Sequence, residues 1–436
     1  MKTNILLFFF YLWMSLFPAI CWGQKINNYS LSFDKRYSEA ANMRVICSFI
    51  IDFQDADSIC MNLGGPFELS VDDLIVYGNT SLKYDYRKEN KQIIYYRPSV
   101  QKVAISMEYN YTNLTSFFVY GKGDAELWET SYEEYYYPYI PDINMSLSVK
   151  VSLPDSLSLI SSYAMHKDSL NNYSCRINNV LAQSLSLAFI RKEVYMKTTA
   201  AIPESVQIYQ IRNMQCKEER YNELLTLISE SIRYFSRIYK DNYLSESHSI
   251  TSYPIFLFHN GEGFSNRYNI GFISASQEKF STYPNIYPLV HEIGHRWLGE
   301  WTLLINDGQA GAYFIKESLN EFMTLMFIRD YFGEKTYKDL IDQYKEEYQK
   351  IKNSKDDVPL IDITENNNNT VVYRKGPLVL DYIAKEIGYD RLIASITLFY
   401  QQYNRKIHLC YEDFIDTLAR QYPEAGKDLD TMVRNK

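Results

Sequence analysis

In the stretch HEIGHRWLGE, residues 291 to 300, two histidines stand four apart with a glutamate directly after the first. On an α-helix, residues four apart share a face, so His291 and His295 can aim a ring nitrogen at one point. Imidazole suits zinc, and a catalytic zinc keeps one position open for a water that then loses its proton near neutral pH. Glu292 projects from a neighbouring position, close enough to reach that water without ligating the metal. Two histidines do not hold a catalytic zinc alone. The next helical stretch, KESLNEF, offers Glu317 and Glu321, again four apart on one face. Glu317 is expected on the metal, and Glu321 on the far nitrogen of a ligating histidine, whose tautomer it would fix. The reverse assignment of the two carboxylates stays open. Paired histidines on a helix can also be hydrogen-bonded core residues. Here the apolar approach YPLV and the carboxylate-bearing helix favour one zinc ion per chain, while Trp297 reads as a core aromatic.

Those residues need elements to hold them. Between about Lys25 and Met196, runs such as MRVICSFIIDF, KQIIYYR and KVAISMEYNY alternate apolar with polar positions. Turn residues interrupt them at intervals of about eight to twelve, the pattern of an antiparallel β domain. The chain's 40 tyrosines fit half-buried pleated surfaces. Near Cys216 the period changes: Leu225, Ile228, Ile232, Phe235 and Tyr239 recur at helical spacing. Strand candidates at 253–259 and 271–276 follow. After them come the HEIGH helix, a loop containing Asn306 and Gly308, a helix from about Glu317 to Tyr331, and a helical tail. The run Asn366 to Asn369 reads as a solvated, mobile loop. The expected division is a leader over 1–23, a β domain over 24–203, a second domain over 204–335 and a helical part over 336–436.

A formal charge of −8 and a pI near 5.5 argue against a nucleic-acid partner. The opening MKTNILLFFFYLWMSLFPAICWGQ has the layout of a secretory signal, with cleavage expected after Gly23. Export to the periplasm or the cell exterior follows. A lipid anchor on Cys21 is the weaker alternative, because Ile20 precedes it. No second long apolar stretch is present, so no transmembrane helix is expected in the mature chain. Cys47, Cys60, Cys175, Cys216 and Cys410 have irregular spacings and read mostly as buried small residues, although Cys47 and Cys60 could pair in an oxidising compartment.

With these residues assembled, the chain resembles the gluzincin family of alanyl-type aminopeptidases and leukotriene hydrolases. HEIGHRW is similar to that family's HExxHxW, and ESLNEF resembles its glutamate-bearing NEGFA helix, which points to Glu317 as third ligand. VVYRKGPLVLDYI resembles the YxKG segment, YEDFIDTLAR a segment near the family's end, and YYYPYIPDINMSLSVKVSLP the strand that closes its saddle-shaped β domain. The resemblance implies a multidomain α+β fold. An N-terminal antiparallel β saddle or sandwich would precede a thermolysin-like zinc metallopeptidase domain with a short helical C-terminal part. It also implies that Glu292 takes a proton from zinc-bound water and delivers it to the leaving amine, while Tyr373 donates a hydrogen bond to the oxyanion.

Two departures bear on substrate choice. The interval from His295 to Glu317 is a few residues longer than usual, which suggests an enlarged loop around Leu304 to Ala312. Family aminopeptidases carry a GxMEN strand whose glutamate binds the substrate's amino end. Here the stretch is GFISAS, which puts Ser274 in that place. A neutral hydroxyl compensates an ammonium poorly, so Glu278, Glu126 and Glu129 become the candidates for binding the substrate amine. About sixty residues follow Tyr373, short for the family, which suggests an open cleft admitting longer peptides or internal bonds. The expectation is thus a zinc metallopeptidase acting on peptide or protein substrates, its exo or endo preference open. The alternatives are a non-catalytic peptide-binding scaffold, or an amidase or other hydrolase on the same centre.

Overall fold

The computed structural model describes residues 25–36, 42–63, 69–79, 81–90, 92–113, 119–120, 125–128, 137–139, 144–161, 163–168, 170–181, 185, 187–199, 206–212, 218–241, 253–258, 264–267, 272–276, 287–299, 308–363, 368–404 and 409–436. The N-terminal half is built on a seven-stranded sheet. Its strands are β1 (Lys25–Asp34), β2 (Asn42–Asp52), β3 (Leu69–Gly78), β4 (Lys102–Asn113), β5 (Asn144–Ser152), β6 (His166–Lys167) and β7 (Asn172–Leu181), in the order β6-β7-β5-β1-β2-β4-β3. Period-two patterning decides its inner face. Met43, Val45, Cys47, Phe49 and Ile51 of β2 are buried, as are Val103, Ile105, Met107 and Tyr109, their partners on β4. Pairing is antiparallel except between β1 and β5, which run parallel. A chain returning after a long excursion can lie alongside a strand in the same direction, which a tight hairpin cannot do. Two smaller antiparallel sheets complete this half: four strands ordered Leu157–Ile160, Leu187–Arg191, Ala125–Trp128, Val119–Tyr120, and three ordered Ser58–Asn62, Gln92–Tyr96, Lys83–Arg87.

A five-stranded sheet follows, with β8 (Tyr195–Thr199), β9 (Val206–Ile211), β10 (Tyr253–Phe258), β11 (Phe264–Arg267) and β12 (Phe272–Ser276) in the order β8-β9-β10-β12-β11. Strand β8 precedes residue 203 in the chain yet pairs with β9, so the sheet of the second half begins there. Helix α1 (Glu218–Tyr239) buries Leu225, Ile228, Ile232, Phe235 and Tyr239, the five positions its periodicity picks out. Among the described residues the remaining α-helices are α2 (Tyr287–Gly294), α3 (Leu319–Phe332), α4 (Glu334–Gln349), α5 (Gly376–Ile387), α6 (Tyr389–Tyr403), α7 (Tyr411–Gln421) and α8 (Pro423–Arg434). A β part followed by a helical part is the two-domain arrangement expected.

The cysteines match expectation in part. Cys47 is buried but Cys60 is exposed, and both are free thiols, as are Cys175 and Cys410. Cys47 sits in the large sheet and Cys60 in the three-stranded one. Cys216 lies outside the described residues.

Two buried polar hubs frame the helices. Asp381 accepts from Tyr337 of α4, from Tyr389 of α6 at 2.7 Å and from Lys385 at 2.6 Å. Lys375 is buried and donates to Asp357 at 3.2 Å, to the Val358 carbonyl at 3.3 Å and to the Asn435 carbonyl at 3.1 Å, tying the YRKG segment to the chain after α8. Burial alone would raise the Asp357 carboxyl. The Asn353 N–H and the Lys375 ammonium outweigh it and hold the group below its ordinary range. A carboxyl depressed on folding stabilises above its unfolded pKa and loses that increment as pH falls through its folded one. Asp357→Asn would leave a buried ammonium unpaired, and the expected loss is about 3 kcal/mol at neutral pH. Urea unfolding should show the gap between variant and wild type narrowing as the medium is acidified below the ordinary carboxylate range.

Candidate active site

Leu289, Val290 and Ile293 are fully buried and turn one face of α2 inward, carrying His291 with them. Regular helix stops at Gly294, one residue before the second histidine. The His295 N–H still donates to the His291 carbonyl at 3.3 Å, so the one-above-the-other relation survives. Gly294 also sets how near the next helix can come, because a Cβ there would stand 2.1 Å from Asn320 Oδ1 of α3. Without one, α3 comes close enough for Asn320 Nδ2 to donate to the His291 carbonyl at 2.7 Å. Trp297 is a core aromatic, stacked on Tyr239 at 6.1 Å between ring centres, with its N–H on the Asp241 carbonyl.

Glu317 and Tyr373 both sit on turns of π-helix, Phe314–Ser318 leading into α3 and Val371–Lys375 leading into α5. Such insertions shift the side chains that follow around the axis and recur at functional sites. Ser318 Oγ donates to the Val372 carbonyl at 2.7 Å, and a Cβ on Gly376 would lie 2.1 Å from that oxygen, so the two turns meet over a glycine. Asn368 is not an idle member of its polar run. Its side-chain oxygen accepts the Val371 N–H at 3.3 Å and its amide donates to the Asp356 carbonyl at 2.7 Å, which fixes the start of the second turn. Asn366 lies outside the described residues.

His291 Nε2 lies 3.1 Å and His295 Nε2 3.3 Å from the same oxygen, Glu317 Oε2. One ligand atom from each of the three residues falls within 4.8 Å of the others. The outward nitrogens are held from behind: His291 Nδ1 is 2.6 Å from Glu321 Oε2, and His295 Nδ1 is 3.2 Å from the Leu298 carbonyl. Glu321 thus faces the side of His291 opposite the point of convergence. Tyr373 donates to Glu317 Oε2 at 3.0 Å, its ring 5.5 Å from that of His291. Burial alone would lower the His291 imidazole, but Glu317 and Glu321 raise it well above its ordinary value. Burial would raise Glu317, and the two imidazoles hold it well below. Two carboxylates this deeply enclosed need positive charge beside them. Three donors of zinc-preferred type aimed at one point, with the far nitrogen of each histidine engaged, fit that metal.

Glu292 is half-buried, and its charge is one of those acting on the Tyr373 hydroxyl. Ser274 falls within β12, its backbone paired with Phe256 and Ser265. Of the amine-binding candidates, Glu126 lies on the strand Ala125–Trp128 opposite Phe189, its side chain not described, and Glu278 and Glu129 lie outside the described residues. Sequence reasoning missed Asn320, Tyr344 and Arg374. Tyr344 is one of 40 tyrosines and lies in no motif. Asn320 had a weak signal in its place between the two glutamates.

Comparison with known proteins bears on the segment that carries the site. The sequence from 274 to 435 matches the family model described as peptidase family M1 domain. Residues 274–435 are a peptidase family M1 domain. The gluzincin resemblance is thereby borne out, and the M1 domain makes this a zinc metallopeptidase. No curated protein matches the sequence. Among solved structures, an M1 zinc metallopeptidase from Deinococcus radiodurans is 12% identical with a TM-score of 0.68, covering 94% of this chain and 94% of its own. A mutant of the same enzyme, bound to a Tyr-Ser-Ala substrate, is 13% identical, covers 95% of each chain and has a TM-score of 0.69. Yeast LTA4 hydrolase in complex with bestatin is 14% identical, over 94% of this chain and 68% of its own, with a TM-score of 0.67. At these identities the likeness is one of fold, and it spans both halves.

The two carboxylates beside His291 should separate cleanly on substitution. Glu317→Gln is expected to leave the dialysed protein without zinc by elemental analysis. Glu321→Gln should keep one zinc per chain with affinity lowered by about tenfold or more.

Proposed function

We propose that the chain is an exported zinc peptidase in which Glu292 is the proton carrier and Tyr373 the oxyanion donor. The observation that carries this is the convergence of His291, His295 and Glu317 with the Tyr373 hydroxyl 3.0 Å from the Glu317 oxygen that both imidazoles face. The three donors would hold zinc, whose Lewis acidity makes a water nucleophilic at neutral pH. Glu292 neighbours His291 in sequence and Tyr373 in space. From there it accepts a proton from the attacking water and passes it to the leaving amine. Tyr373 keeps its own proton, because burial and then the charges of Glu317 and Glu292 push its hydroxyl far above the ordinary tyrosine value. It therefore serves as a hydrogen-bond donor to the scissile carbonyl oxygen as negative charge gathers there. Glu321 keeps the His291 ring in place so that Nε2 is free to ligate.

Position 274 is serine, so a carboxylate on β12 is not what selects a substrate's amino end. We infer an open preference that accepts longer peptides and internal bonds. Among the described residues no helix is long and apolar enough to cross a membrane. Export rests on the character of residues 1–23.

Glu292→Gln should retain stoichiometric zinc and lose about a hundredfold to ten-thousandfold in kcat; unchanged turnover would remove Glu292 from the chemistry. A tripeptide and longer peptides, each compared with its N-acetylated twin, address substrate choice. Comparable cleavage of both twins is expected, whereas strict dependence on the free amine would overturn the open-cleft reading.

A further inference from the structure

We propose that Tyr344, clamped by Arg374, is a positioning residue for the metal centre, holding Glu321 against His291 while the same arginine braces the turn that presents Tyr373. The inference rests on the zinc-peptidase reading and extends it to residues that lie behind the site.

Tyr344 is buried on α4, a helix that contributes no ligand and no part of the HExxH segment. Its hydroxyl donates to Glu321 Oε1, while the other oxygen, Oε2, takes His291 Nδ1 at 2.6 Å. A carboxylate gripped by one oxygen can pivot about its last torsion. Gripped at both oxygens from opposite sides, it becomes a fixed acceptor. Burial, then the charge of Glu321, raises the Tyr344 hydroxyl well above its ordinary value, so it stays a donor.

The tyrosine is itself held. The guanidinium of Arg374 lies 4.2 Å over the Tyr344 ring, within the range of a cation–π contact. Its Nε donates to Glu347, one turn on from Tyr344 along α4, and its Nη1 donates to the Tyr373 carbonyl at 3.0 Å. One planar cation therefore touches the ring that steadies Glu321 and the backbone that carries the oxyanion donor. For a position that merely filled space, phenylalanine would be equivalent, since the ring and its contact with Arg374 would remain. The hydroxyl is what the proposal needs.

The test measures zinc affinity by competition with a chromogenic chelator, the absorption spectrum of the cobalt(II)-substituted protein, peptide turnover, and thermal unfolding of the metal-free protein. Tyr344→Phe is expected to weaken zinc binding by about tenfold or more and to alter the cobalt spectrum, with metal-free unfolding nearly unchanged. Arg374→Met leaves the hydroxyl in place and frees the ring, so zinc affinity should fall by about two- to fivefold and kcat should drop more than KM rises. Wild-type protein that takes up zinc, alongside a Tyr344→Phe variant with the same affinity and the same cobalt spectrum, overturns this inference alone. If Tyr344→Phe does not fold, an Arg374→Met protein with wild-type zinc affinity and kcat overturns it equally. Wild-type protein that takes up no zinc overturns the peptidase reading, and this inference with it.

Discussion

Two carboxylates buried beside two imidazoles set the terms for the whole catalytic half. Glu317 and Glu321 are 7% and 8% exposed, and His291 and His295 5% and 3%. Negative charge enclosed to that degree is tolerable only with a cation among its neighbours. Without metal, the shift of His291 toward its protonated form supplies part of that charge. A divalent ion held by His291, His295 and Glu317 would supply more, with the outer nitrogens already engaged by Glu321 and the Leu298 carbonyl. Burial of the two carboxylates and the site's fit to a cation therefore point the same way.

Holding four polar groups in register requires three chain segments to approach more closely than ordinary packing allows. Gly294 lets α3 meet the end of α2, and Gly376 lets the two π-helical turns meet through Ser318. A methyl group at either glycine would overlap a neighbouring side chain, which explains why small residues stand where helix propensity alone would favour others. Around this contact the Asp381 and Lys375 hubs join α4, α5, α6 and the chain after α8. Each hub is a satisfied polar cluster in an apolar setting, an arrangement that specifies one packing of the helices more sharply than apolar contacts can.

The convergence of His291, His295 and Glu317 had a signal in the sequence because it draws on local periodicity: the two histidines stand four apart, and so do Glu317 and Glu321. Periodicity likewise picked out the buried face of α1 and the inward positions of β2. What escaped were features that depend on two distant segments at once. The π-helical turns under Glu317 and Tyr373 leave no compositional mark, since FIKES and VVYRK look like any helical stretch. Tyr373 itself was reached through family resemblance, and Tyr344 was not reached at all. The parallel pairing of β1 with β5 and the membership of β8 in the second sheet are likewise consequences of return paths. Cys60, read as a buried small residue, is exposed because its strand alternates and places it on the outer face.

The groups proposed to act on the scissile bond and the position proposed to bear on substrate choice lie on different parts of the chain. Glu292 lies on α2, His295 just past its end, and Glu317 and Tyr373 on the π-helical turns, with Glu317 in contact with both imidazoles and with the Tyr373 hydroxyl. Position 274 belongs to β12, a strand of the five-stranded sheet, and edge strand β11 lies between it and the flank of α2. A change of charge on β12 would therefore leave the contacts among His291, His295 and Glu317 in place. This separation fits the proposal that no carboxylate on β12 selects a substrate's amino end. The demand for buried positive charge constrains the segments around His291, His295 and Glu317, and β12 carries none of those residues.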